Sequence, residues 1–311
     1  MALTINTNMA SIQAQHALSS STKSLNSSIQ RMTTGYKINS AKDDAAGLAV
    51  ANKMKVKLSS VSVAESNVQL GSSMLDTIEG NYEVIQDHLQ RIRDLTEQSA
   101  NGTYSSDSLT AISSEISQRL DEITRVANST EYNGLYLLNG DFGEQGKKGI
   151  DLQVGITSST NSVIHLDGSL FNSIQASALT WMVKAKNTDG KDVDATGMKQ
   201  QEFADTCAGL GTTAKLKGTQ GANQMLAVLD KAIATITERT TLLGATQNRL
   251  ESASDALQVQ SDNLTSSLST VRDADVAAES SAYITAQILQ SASASLLSTA
   301  NQTPSIALNL I

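Results

Sequence analysis

Apolar residues recur at every seventh position in two separate stretches of this 311-residue chain, and that repeat limits what it can fold into. Val61, Val68, Leu75, Tyr82 and Leu89 form one row, with Ala64, Gly71, Ile78, Ile85 and Ile92 three residues after each. Such spacing puts both rows on one stripe of an α-helix, the seam of a coiled coil. Leu229, Ile236, Leu243, Leu250, Leu257, Leu264 and Val271 form a second row. Its companions at +4 begin apolar with Ile233, turn polar at Thr240, Gln247, Ser254 and Ser261, and end apolar with Leu268. Pro304 is the sole proline, so no ring breaks either run. Each rod is expected to reach roughly 60 Å at ~1.5 Å per residue. Helices of that length find no full partner inside a small globule, so the two are expected to lie alongside each other. The rod-packing residues are then Leu75, Ile78, Leu89, Leu243, Leu250, Leu257 and Leu264.

Charge is missing from both ends. No charged side chain occurs from Ala2 to Thr22, and none follows Glu279. A free, solvated tail usually carries charge. A membrane anchor would be greasier than SSAYITAQILQSASASLLSTANQTPSIALNLI, where Ser, Gln and Asn interrupt the Ile and Leu throughout. Burial of the two ends against each other or against partner chains explains the pattern; mobile polar tails are the alternative. The opening MALTINTNMASIQAQHALSS has no basic n-region, apolar h-region or cleavage site, so it does not read as a signal peptide.

Between the rods the pattern changes. Asn101-Gly102 is expected to end the first rod, and Asp107 or Ser108 to cap a shorter helix with Leu109, Ile112, Ile116, Leu120 and Ile123 on its face. Two Asn-Gly turns follow, at Asn133-Gly134 and Asn139-Gly140. Alternation of Ile150, Leu152 and Val154, then of Val163, Ile164 and Leu166, predicts a β-hairpin near 150–167. From about Gly168 to Gly221 glycines gather, and Trp181 and two of the three phenylalanines fall there. This reads as a small loop-rich excursion beside the rods.

The residues that carry chemistry are sparse. His16, His88 and His165 have no ligand spacing, and no nucleophile elbow, phosphate loop or zinc-binding helix occurs. Asp43-Asp44 lacks a third ligand and reads as a cap or salt-bridge pair. Cys207, the only cysteine, sits in the glycine-rich stretch, where exposure is the expectation and nothing marks it as a nucleophile. Aromatics make up 3% of the chain and charged residues 17%, against roughly 25% charged in an average globular protein. With a net charge of −8 the chain repels phosphate, which argues against nucleic acid as a partner. No enzyme, cofactor, metal site or membrane anchor is expected.

The ends resemble a known family. INTNMASIQAQHAL and SIQRMTTGYKINSAKDDAAGLAVANKM within Ile5–Met54, LQRIRDLTEQSANGTYS at Leu89–Ser105, and LGATQNRLESASDAL at Leu243–Leu257 all resemble bacterial flagellin. So does ADVAAESSAYITAQILQSASASLLSTANQ at Ala274–Gln302. The resemblance covers roughly residues 1–170 and 222–311. After Leu58 the chain departs from the family pattern with VAESNVQLGSSML.

The resemblance implies a mainly α fold: antiparallel helical rods and a coiled coil formed by the N- and C-terminal halves, a small β-hairpin and a short irregular central insertion. It implies three parts: 1–42 with 272–311 as an inner coiled-coil domain, 43–170 with 222–271 as a rod domain bearing the hairpin, and 171–221 as a short variable insertion. Polymerisation and core packing are expected from Leu18, Leu25, Ile29, Ile284, Ile288, Leu289, Leu296 and Leu297. The implied function is a structural subunit that polymerises with itself into the flagellar filament for swimming. Further implied partners are a flagellar export chaperone and the hook-associated junction and cap proteins. The implied location is the extracellular flagellum, reached through the flagellar type III route without a cleaved signal peptide. Gln90, Arg91, Leu95 and Glu115 match a segment by which the animal innate flagellin receptor detects members of the family. Two rivals stay open: the hook–filament junction protein, against which the AQILQ of Ala286–Gln290 argues, and a soluble coiled-coil adaptor or chaperone.

Overall fold

The computed structural model describes residues 8–143, 148–174, 184–186, 192–194, 200–209 and 218–308. Trp181 and the Gly-rich 210–217 lie outside the described residues. Among the described residues six α-helices dominate: α1 (Met9–Thr34), α2 (Ala45–Ala100), α3 (Ser106–Ser129), α4 (Gln200–Cys207), α5 (Gly218–Arg272) and α6 (Val276–Leu308). The strands are β1 (Glu131–Tyr132), β2 (Leu135–Tyr136), β3 (Gly149–Gln153), β4 (Val163–Asp167), β5 (Lys184–Lys186) and β6 (Asp192–Asp194), paired as three antiparallel hairpins.

The chain divides into two compact units, 61–259 and 1–60 with 260–311. In the first, all ten residues of the N-terminal double row from Val61 to Ile92 are buried. α2 and α5 run antiparallel: Arg93 pairs with Asp230 at 2.6 Å, and Gln247 donates to Asp76 and Glu79 at 3.0 and 2.9 Å. On α5, Leu229, Ile236, Leu243, Leu250 and Leu257 are buried, whereas Leu264 and Val271, in the second unit, are half-buried. The companion row lies at +3, with Ala232, Arg239 and Thr246 buried, and not at +4. Arg239 tolerates this place because its Nη1 donates to the Asn172 carbonyl at 3.0 Å.

α3 presents Ile112, Ile116, Leu120 and Ile123 to the same core, with Leu109 half-buried. Its cap is Ser105, whose hydroxyl accepts from the Ser108 N–H, while Asp107 sits in the first turn, favourable to the helix dipole. Asn133 (φ 51°) and Gly134 (φ 80°) make the tight turn between β1 and β2. β3 and β4 pair from Gly149 opposite Asp167 to Gln153 opposite Val163. This hairpin packs on α2 at Gly71, where a Cβ would fall 2.5 Å from Leu152 Cδ1. A side chain there would have to push the Leu152 side chain aside.

The 171–221 stretch holds more structure than its composition predicts. Besides β5 and β6 it contains α4, which packs on α3 through Ser113 Oγ donating to Asp205 Oδ1 at 2.6 Å. Cys207 ends α4 and is buried, contrary to the exposure expected of it. The reason is the helix: Phe203, Ala204 and Cys207 fall on one face at i, i+1 and i+4, and that face is turned inward. Burial pushes the thiol up to about 12, so it stays protonated.

In the second unit α1 packs antiparallel to α6. Asn8 donates to Ala300 O at 2.7 Å, Gln290 donates to Thr22 at 3.1 Å, and Arg31 reaches Glu279 at 3.6 Å. Their Cα atoms approach within 8 Å along much of their length. Small residues allow it, for Ser28, Ala286 and Ser293 are the buried positions of the pair. The breaks after α1 and α5 are tied together. Gly35, left-handed at φ 74°, ends α1; Lys37 N–H donates to Arg272 O and Ala274 N–H donates to Gly35 O, both at 2.8 Å. The Arg272 guanidinium lies 4.1 Å over the Tyr36 ring. Asp43 and Asp44 are caps, as their lack of a third ligand implies. Asp43 accepts from Asn39 and Ser40, and Asp44 Oδ1 accepts from Gly47 N–H at 2.9 Å, capping α2. The Ser40 hydroxyl and amide hold the Asp43 carboxyl below its usual range.

Candidate assembly surface

The α1–α6 pair buries its small residues and leaves its large apolar ones outside. Ile29 is 43% exposed, Ile284 54%, Ile288 63%, Leu289 52% and Leu296 63%. Leu18, Leu25 and Leu297 are half-buried. Ile284 and Ile288 stand one turn apart, and Leu289 and Leu296 stand two turns apart, so each pair shares a face of α6. Past Glu279 no charge interrupts this helix. Exposed apolar side chains in such number make this pair a candidate for contact with another molecule. Full burial of one Leu or Ile contributes about 1.5–3 kcal/mol, which these five side chains do not realise within the pair.

The rod residues behave differently. Leu75, Ile78, Leu89, Leu243, Leu250 and Leu257 are all buried within their own unit, so they hold the subunit together and present nothing outward. A third seven-spaced row escaped the sequence analysis: Val63, Leu70 and, two heptads on, Val84 are exposed on α2, and Val56 continues the spacing. The signal was the same period, offset two residues from the seam.

Gln90 and Arg91 are exposed on α2, whereas Leu95 is buried. Arg91 Nε donates to Glu115 Oε1 at 3.1 Å, and Arg119 Nη2 donates to the same oxygen at 3.0 Å. Partial burial pushes the Glu115 carboxyl upward, but hydrogen bonds from Arg119 and Arg91 outweigh it and lower its pKa. His88 stands 3.4 Å from Arg119, His165 pairs with Asp151 on the hairpin at 2.6 Å, and His16 is exposed on α1. Among the described residues no three His, Cys, Asp or Glu are grouped to hold a metal, and no helix is long and apolar enough to cross a membrane.

Residues 5–142 match the bacterial flagellin N-terminal helical region, and residues 226–311 match the bacterial flagellin C-terminal helical region. The chain belongs to the bacterial flagellin family. This flagellin is 31% identical to polar flagellin F of Vibrio parahaemolyticus over 376 aligned positions, with 100% of each chain covered. It is 31% identical to the flagellar filament 30.7 kDa core protein of Treponema maltophilum, over 96% of this chain and 95% of the other. Its backbone resembles a Vibrio parahaemolyticus chain provisionally assigned as a flagellar hook-associated protein, with a TM-score of 0.57 and 14% identity. That match covers 74% of this flagellin and 100% of the other chain, and at such identity it speaks to the fold alone.

Proposed function

We infer that this flagellin is a subunit of the bacterial flagellar filament and polymerises with copies of itself through its paired terminal helices. The observation that carries the reading is the exposed Ile and Leu face on a helix pair whose far ends hold no charge. Uncharged ends suit such a role, because an unpaired charge buried in a subunit interface costs several kcal/mol. Copies meeting head to tail through different patches give an open helix wherever the rotation between them does not close into a ring. The relatives matched over their full length are flagellins and a filament core protein, which favours the filament subunit over the hook–filament junction protein or an adaptor.

Within that reading, 1–42 with 272–311 form the inner layer, 43–170 with 222–271 the rod layer, and 171–221 a variable insertion. Leu18, Leu25, Ile29, Ile284, Ile288, Leu289, Leu296 and Leu297 meet neighbouring copies. The subunit leaves the cell by the flagellar type III route, escorted by an export chaperone, and joins the hook-associated junction protein at one end of the filament and the cap at the other. Its work is structural, with no catalysis. An innate receptor would read the exposed Gln90 and Arg91 and the half-buried Glu115, with Leu95 supporting them from beneath.

Seeded assembly of the purified chain, watched by electron microscopy beside a chain lacking 1–40 and 275–311, tests the reading. Filaments from the full chain and none from the truncation are expected. A full chain that stays a discrete oligomer under every seeding condition overturns it.

A further inference from the structure

We propose that a groove between α2 and α5 receives the exposed lysines Lys53 and Lys57 of a second copy of this chain, an inference that rests on the filament reading. The groove, about 640 Å³, lies within the 61–259 unit and is lined by Glu65 and Asp76 from α2 and by Glu251 and Asp255 from α5. Among the described residues none of these four carboxylates forms an ion pair. The arginines of this unit that do pair are committed elsewhere: Arg91 and Arg119 to Glu115, Arg93 to Glu97 and Asp230, and Arg125 to Glu122. The Gln247 amide, which bridges from α5 to Asp76 and Glu79, is neutral. Glu65 Oε1 is shielded from solvent and accepts no hydrogen bond. A carboxylate oxygen withdrawn from water without a donor is costly, so the groove is incomplete as it stands.

The missing charge is present on the same chain in surplus. Ahead of Glu65 the only carboxylates are Asp43 and Asp44, and both already accept from backbone N–H groups at the start of α2. Lys53, Lys55 and Lys57 follow on that helix, all exposed, and among the described residues no carboxylate lies within ion-pair distance of them. In a homopolymer each subunit carries one acidic groove and one lysine cluster. A head-to-tail contact that seats the lysines of one copy in the groove of the next uses each patch once and repeats without closing. Lys53 and Lys57, four residues apart, share one face of α2, so their flexible four-carbon stems enter the groove together, while Lys55 on another face adds to the positive charge of the helix. Complementary charge of this kind fixes register and rejects a misdocked neighbour.

Charge reversal tests the contact. One full-length chain carries Lys53→Glu, Lys55→Glu and Lys57→Glu; the other carries Asp76→Lys, Glu251→Lys and Asp255→Lys, all three at exposed positions. Seeded elongation at low ionic strength is compared for the parent, each variant and an equal mixture, after circular dichroism of the monomers. Each variant alone is expected to elongate slower by on the order of tenfold or more, because like charges now face each other. The mixture is expected to recover, since the acidic stripe of one fits the basic groove of the other. Variants that elongate like the parent, or a mixture no faster than its components, overturn the proposal. A parent that does not elongate counts against the filament reading instead.

Discussion

Tyr82 occupies a seam position that the seven-residue spacing counts simply as apolar, yet its one polar atom is fully committed. The phenol donates to the Leu170 carbonyl at 2.6 Å, tying α2 to the turn that follows β4. Burial pushes its pKa up to about 12, with the nearby Arg239 pulling the other way. The raised value favours the neutral phenol in the fold. Its contribution is therefore full below about pH 10 and is lost as pH climbs towards about 12. Cys207, buried and also raised to about 12, titrates over an overlapping range and adds to the loss. Tyr82→Phe leaves the Leu170 carbonyl without this donor and should cost roughly 1–2 kcal/mol at neutral pH. It should also flatten the alkaline fall in stability. Urea unfolding of the monomer at neutral pH and between about 10 and about 12 measures both. An alkaline fall as steep in the Phe variant as in the parent would show that Tyr82 is not a group responsible.

At the level of elements, local periodicity carried the rods and failed where burial depends on distant contacts. Every residue of the double row from Val61 to Ile92 is buried, because a repeat of seven needs only the helix itself to be read. The hairpin from Gly149 to Asp167 was legible in the alternation of its apolar residues. The flank of α5 was not. Arg239 is buried because the Asn172 carbonyl, 67 residues away in sequence, accepts from it, and no local pattern announces that. α4 was hidden by the glycines around it. Its buried apolar residues are only Phe203, Ala204 and Cys207, too short a run for a period to show. The exposed Ile and Leu side chains of α6 lie where the sequence carries no charge, while the exposed row of Val63, Leu70 and Val84 on α2 needed the seam to be subtracted first. Burial also ranks the rod positions against one another. Leu75→Ala, at a fully buried site, should cost 2–5 kcal/mol in the unfolding of the monomer. Leu264→Ala, half-buried near the end of α5, should cost about 1 kcal/mol or less. Equal costs would mean that the far end of the second row packs as fully as the first.

Across the whole molecule, apolar side chains are divided between those that stabilise the subunit and those left for something else. The rod rows from Val61 to Ile92 and from Leu229 to Leu257 are consumed inside one unit, and Ser28, Ala286 and Ser293 are consumed where α1 meets α6. Ile288 and Leu296 are consumed by neither, each with 63% of its surface open to water. A substitution that removes only this unused surface separates folding from assembly. Ile288→Ser with Leu296→Ser should change monomer helicity and unfolding by no more than about 0.5 kcal/mol, as for other surface changes. If copies bury these two residues, the lost transfer energy is about 3 kcal/mol or more, a rise on the order of a hundredfold in the critical concentration. Sedimentation of polymer across a concentration series reads that shift directly. Ala286→Leu provides the contrast, because its added bulk falls between α1 and α6 and should disturb the pair even in the monomer. A serine double variant that polymerises at the parent's critical concentration would place the meeting surface elsewhere, with the exposed Val63, Leu70 and Val84 of α2 the next face to substitute.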